Sequence, residues 1–472
     1  MRTATRGDNG PAGGDAPGPA RPRRGTRGGR RGGGAAEAGQ MRAPAKVTLR
    51  PLSRGSRVGP LRLRQLVLVE AALCVATVGL ALGAPWRVPA LSAGGALALS
   101  ALLRLRGRPL LDSLPVARAY RSRTRRAVSG AESGGTDGVA PALAPLVECA
   151  PSLAPYPYAS SGQRPRSVGM VGDGTFLTAV VRVEATGDAL RPAFGARAFP
   201  LALLGDVLAV DGIVLESAQL VQQVRCAPAP LLPERSAARL SYTRLQRLQG
   251  GATAPALRLT WVAVKLDPEL CGEAVAARGG GLAGSQRCLV RAADHLASRI
   301  TGAGFRALVL DQDALESALA TAACTDVVAE TPGGARAADG GATHGGGGGG
   351  GGPRGHEGVL EWWCDERWHS SYAVGHWPSL GPGAAPFSRV VSLLTSVPSY
   401  ANTLSLTVRR GPYQGHTRVS GHLRITGGPG AEPTGARTAL REAARSAEVG
   451  LVRLDREQVP GLLATVPLGG GR

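Results

Sequence analysis

Apolar residues gather first in Leu66–Leu103, as two runs. Leu66–Ala84 (LVLVEAALCVATVGLALGA) is followed by Pro85-Trp86-Arg87 and then by Val88–Leu103 (VPALSAGGALALSALL). A helix needs about 20 apolar residues, with about 17–25 usual, to cross a hydrocarbon core. The first run is long enough. The second, at 16 residues, gains length from Leu105 and the aliphatic stems of Arg104 and Arg106. Paired helices in water carry a polar face, whereas these runs hold one charge, Glu70. The pattern predicts a two-helix N-terminal transmembrane hairpin over 61–107, turning at Pro85-Trp86-Arg87. A cleaved signal peptide does not fit, because more than 60 residues precede the first run and a second run follows it. Glu70 is expected to reach Arg62, Arg64 or lipid headgroups. Gly79 and Gly83, with Ser92, Gly94, Gly95 and Ala96, let helix backbones approach closely, either within the hairpin or against another subunit.

Around this hairpin the pattern changes. Residues 1–60 are Gly, Arg, Pro and Ala with few large apolar side chains, and read as a disordered basic tail. Residues 108–166 read as a basic collar and linker. Alternating apolar positions then predict strands at Val168–Glu184, Ile213–Cys226 and Leu257–Leu266. Helices follow at Pro200–Val210, Ser285–Ile300 and 312–323, the last capped by Asp311, with a strand at Phe305–Leu310. Residues 331–357, with eight consecutive glycines at Gly345–Gly352, form a linker. Beyond it, Val359–Trp377 predicts a strand pair and Phe387–Val397 a helix. Strands Asn402–Arg409 and Thr417–Thr426, helix Arg437–Ala447 and strand Val449–Leu454 come next, and a last helix starts at Asp455. The expected architecture is a cytoplasmic α/β domain with a mixed sheet, in two similar βα halves over 167–330 and 358–472. The stretches from Leu310-Asp311 to Thr321 and from Leu454-Asp455 to Thr465 match without a gap. An internal duplication and a chance likeness of two junctions both fit this match.

Charge refines the topology. The formal net charge is +21. Residues 1–64 carry +12 and residues 104–126 carry +7, so the remainder is close to neutral. Basic flanks around the hairpin predict both termini in the cytoplasm, at the plasma membrane, with anionic lipid as a partner. They do not call for nucleic acid, although Gly25–Gly32 has an Arg-Gly-Gly character. The seven cysteines are scattered without a CxxC, which fits a reducing compartment.

No constellation predicts catalysis. The two lysines, Lys46 and Lys265, do not follow glycine as a phosphate-binding loop requires. Gly169, Gly172 and Gly174 read as a hairpin turn. His356, Cys364, His369 and His376 match no standard metal spacing and read as packing residues. Asp311 and Asp455 read as helix caps. The expected catalytic, cofactor-binding and metal residues are therefore none.

The hairpin entered through Arg57–Glu70 (RVGPLRLRQLVLVE), together with Ala256–Gly281, Trp363–Trp377 and Gly450–Gly470, resembles the actinobacterial EccE family of the type VII (ESX) secretion system. The resemblance covers about residues 57–472. It implies a non-enzymatic structural membrane subunit of a protein-secretion complex, with EccB, EccC and EccD as partners and EccC supplying the ATPase. The alternative is a membrane-anchored α/β enzyme, for example a transferase of envelope precursors.

Overall fold

The computed structural model describes residues 63–102, 104–105, 108–132, 143–160, 165–185, 198–226, 235–248, 255–325, 354–378, 386–411 and 416–471. The tail 1–60 and the glycine run Gly345–Gly352 lie outside these residues.

Two helices come first, α1 (Leu63–Ala81) and α2 (Ala84–Leu102). They pair, but the transmembrane expectation is overturned: among the described residues no helix is long and apolar enough to cross a membrane. Of the 19 residues of α1, Arg64, Gln65 and Glu70 fall in its first turns. Helix α2, also of 19 residues, takes in Pro85, Trp86 and Arg87 before its apolar run, which itself holds Pro89. The turn is therefore not Pro85-Trp86-Arg87 but Leu82-Gly83, where Gly83 takes φ +96°. Proline is tolerated in a first helical turn because the N–H it lacks has no partner there anyway. The two-pass plasma-membrane localisation, and the orientation with both termini cytoplasmic that rested on it, fall with the spans.

After α3 (Leu110–Glu132) the chain builds one twelve-stranded sheet. Its main strands are β1 (Leu177–Ala185), β2 (Ser217–Cys226), β3 (Pro255–Leu266) and β4 (Phe305–Val309) in the first segment. The second segment supplies β5 (Gly355–Glu357), β6 (Trp362–Cys364), β7 (Arg367–His376), β8 (Ala401–Arg410), β9 (Thr417–Gly427) and β10 (Gly450–Arg453). The helices between and after them are α4 (Ala237–Leu248), α5 (Gly281–Gly302), α6 (Gln312–Ala323), α7 (Phe387–Thr395), α8 (Pro433–Ser446) and α9 (Gln458–Thr465). Within the expected linker, Ala144–Cys149 is helical and Leu146 is buried.

The central order is β4-β1-β3-β2-β8-β9-β7-β10. Both segments run outward from the β2–β8 ladder in the same sequence of elements. Leu310 N–H donates to Val180 O, and Leu454 N–H donates to Ser371 O, so the two strand-to-helix junctions occupy equivalent places. All the described pairings are antiparallel, which corrects the expected mixed sheet. Adjacent parallel strands need a crossover between neighbours. Here α5 carries the chain from β3 across β1 to β4, and α8 carries it from β9 across β7 to β10, so each crossover skips one strand.

One sheet face packs Leu177, Ala179, Val181, Val262 and Val264 against Leu289, Ala292 and Leu296 of α5. On the same face Leu404, Leu423 and Ile425 meet Leu440 and Ala444 of α8. The opposite face packs Val180, Val221 and Ala263 against Leu315 and Leu319 of α6 and Leu462 of α9. Covered on both sides, the central strands read as nearly continuous apolar runs.

The centre of that opposite face is polar. Gln219, Gln223, Thr403, Ser405, Thr407 and Arg424 are buried there. Helices α6 and α9 end above them, and the last carbonyls of a helix have no partner within it. The amide of Gln219 donates to Ala464 O at 2.9 Å and to Ser405 Oγ at 2.8 Å, and accepts Gly469 N–H at 2.8 Å. Gln223 donates to Thr321 O at 3.0 Å. Arg424 donates to Ala322 O and Ala323 O, and Arg367 to Cys324 O. Residues 466–470 then cross the sheet, buried, with Thr178 donating to Leu468 O and Ser217 to Gly469 O.

Two outcomes follow for stability. Replacing Gln223 with Leu leaves carbonyls at the end of α6 without that donor. It should cost about 1–3 kcal/mol in urea unfolding, and Gln219→Leu more, since three bonds go with it. His369 is buried, and burial first, then the charges of Arg424 and Arg367, hold its pKa well below the ordinary histidine range. The folded protein keeps it neutral where the unfolded chain protonates it. Stability is therefore complete above about pH 6.5 and falls as pH drops below it, by about 1.4 kcal/mol per unit until the folded group titrates. Unfolding titrations of wild type and His369→Gln between neutral pH and pH 5 should differ by that slope.

Candidate functional site

The residues singled out for metal do not converge. The short β5-β6-β7 meander brings His356 parallel to the Trp363 ring at 6.3 Å, while His369 lies against Trp362 at 4.8 Å. His376 is exposed at the far end of β7. Burial and then Asp365 push the Cys364 thiol up to about 12, and burial also raises Cys149. Neither thiol is ionised at neutral pH, so neither is poised as a nucleophile. Among the described residues no three His, Cys, Asp or Glu side chains gather as a metal site would require. Asp311 caps α6 by accepting Ala314 N–H at 2.9 Å. Asp455 does not cap α9, which starts three residues later; it pairs instead with Arg453 at 2.6 Å.

What the structure presents is surface. Nine of the seventeen large apolar side chains exposed among the described residues lie on α1 and α2, including Leu73, Leu80, Val88 and Leu99, and Leu82 in the turn between the helices is a tenth. Such concentration marks an interaction site, whereas single exposed apolar residues do not. Of the small residues, Gly79 and Gly94 face the partner helix, whereas Ser92, Gly95 and Ala96 are exposed. A Cβ on Gly79 would lie 1.9 Å from Ala90 Cβ, and one on Gly94 would lie 2.9 Å from Ala72 O. They close α1 onto α2, leaving the larger side chains outward. Glu70 is exposed on α1.

A short ladder, Arg104–Leu105 with Arg108–Pro109, turns the chain from α2 into α3. One side of α3 carries Arg118, Arg121, Arg125 and Arg126, exposed, which with Ser122 line an open concavity of about 580 Å³. The other side is clamped. Arg123 makes a two-bond pair with the Glu357 carboxylate at 2.8 and 3.0 Å and donates to Arg456 O at 2.8 Å. Tyr120 Oη donates to Glu357 O at 3.3 Å. The same carboxylate accepts Val459 N–H at 3.1 Å, in the first turn of α9. One nearly buried acid thus caps α9, belongs to β5 and holds α3.

Sequence reading missed this clamp. Arg123 was one of eight arginines in a basic collar, and Glu357 stood at the end of a glycine-rich stretch; neither lies in a motif. Helix α4 was missed as well, although Ser236 before Ala237 is a start signal.

Residues 254–374 match the family model described as "EccE: Putative type VII ESX secretion system translocon, EccE". The matched region runs from β3 through α5, β4 and α6 to β7. No curated protein matches the chain.

Glu357→Gln should release α3. The loss is about 2–3 kcal/mol at this partly buried pair. Amide exchange across 110–126 should quicken while that of α5 stays slow, and Arg123→Ala should give the same pattern.

Proposed function

We propose that this EccE-family chain, a type VII secretion system component by its residues 254–374, serves there as a structural subunit. It supports assembly or stability of the export machinery. The observation that carries the reading is the gathering of exposed apolar side chains on one hairpin, joined through α3 to the folded domain by the Arg123–Glu357 pair. A surface of this kind suits docking on the apolar helices of other secretion subunits, with EccB, EccC and EccD as the partners, and EccC as the one that hydrolyses ATP. The arginine row of α3 suits an anionic surface such as lipid headgroups, at about 1 kcal/mol per basic residue. The clamp at Glu357 makes these contacts mechanically continuous with the sheet.

The test is copurification of the tagged chain with the other subunits. Each large apolar side chain buried at an interface contributes about 1.5–3 kcal/mol. Leu73→Gln, Leu80→Gln and Leu91→Gln together should lower recovery of the other subunits by about tenfold or more, with the thermal melt of the sheet domain unchanged. Undiminished recovery would exclude the hairpin as the docking surface. Absence of the wild-type chain from the purified complex would exclude the subunit role itself.

A further inference from the structure

Helix α4 stands in the connection between β2 and β3, and its side chains are largely in solvent. Leu240 is 60% exposed, Leu245 48% and Tyr242 36%. By contrast α5 and α6 bury their leucines against the sheet. The helix is locally specified: Ser236 Oγ accepts Arg239 N–H at 3.2 Å as an N-cap, and Thr243 Oγ1 donates to Arg239 O at 2.8 Å. From Arg235 to Gln249 the chain holds Arg235, Arg239, Arg244 and Arg247 and no acidic residue. At 100° per residue, Ala237, Ala238, Leu240 and Leu245 fall on one side of α4. Arg239 and Thr243 fall on the other, while Arg244 and Arg247 lie within about 40° of Leu240, one to each side of it.

We propose that α4 is a peripheral contact with an anionic lipid surface, separate from the hairpin and from α3. Two features select a bilayer surface over a protein groove. A groove takes anchors in one narrow line, spaced three, four or seven residues apart. Leu240 and Leu245 are five apart and splay across a wide sector, which suits a plane. Arg244 and Arg247 flank Leu240, and their long stems let guanidinium groups reach phosphates while the leucines enter the headgroup layer. The exposed Arg244 and Arg247 supply charge complementarity to anionic headgroups and repel a basic partner.

A solvatochromic amino acid encoded at position 245 of the full chain reports the local environment without interference from the hairpin. Vesicles of phosphatidylglycerol and phosphatidylcholine in equal parts should shift its emission to the blue, and vesicles of phosphatidylcholine alone should not. Arg244→Ala and Arg247→Ala should each raise the vesicle concentration needed by about fivefold, with circular dichroism unchanged. The same response on both vesicle types, or none on either with the chain folded, overturns the proposal. A shift seen only when other secretion subunits are added also overturns it and assigns α4 to a protein partner.

Discussion

The two helices on the polar face of the sheet end in its interior, and everything around them answers to that. A helix stopping at the surface leaves its last carbonyls to water. Those of α6 and α9 stop above the β2–β8 ladder, so the protein must bring donors to them. Gln219 and Gln223 from β2, Arg424 from β9 and Arg367 from β7 do so. A polar strip through the middle of a sheet would be costly if unmatched. Matched in this way, it fixes the register of β2 against β8 and the height at which each helix ends. It also explains why a fully buried arginine can sit with carbonyls rather than carboxylates: the end of α6 provides the complementary partial charge.

The secondary structure was legible wherever one face of an element meets the core and the other does not compete. Helix α6 falls on its expected residues, and β9 extends the expected strand by one residue. The arrangement was less legible. The order of strands depends on α5 and α8 each passing over one strand, and no local pattern encodes which neighbour a strand will choose. The gapless match between Leu310–Thr321 and Leu454–Thr465 pointed to equivalent positions. Its second half misled in one respect, because Asp455 is drawn to Arg453 and leaves the start of α9 to residues three places later.

The hairpin shows another limit. Hydrophobic content located its two helices, but it could not decide what faces what. Helix α2 begins earlier than its apolar run and absorbs Pro85 and Trp86, which had looked like the turn. Gly79 and Gly94, which equally suited contact with another subunit, are spent on closing α1 against α2. The clamp that ties this unit to the sheet was invisible because it joins residues more than two hundred positions apart. Charge counting merges Arg123 with its neighbours, and only the fold shows that Arg123 holds Glu357.

The buried segment 466–470 sets an order of events during synthesis. Its partners Thr178, Ser217 and Gln219 belong to strands made between 250 and 290 residues earlier. Strands β1 and β2 therefore leave the ribosome with one polar face uncovered, and they stay so until residues 464–469 emerge. Contacts of such separation form late and slowly. The nascent first segment must wait, exposed, for the part of the chain that completes it.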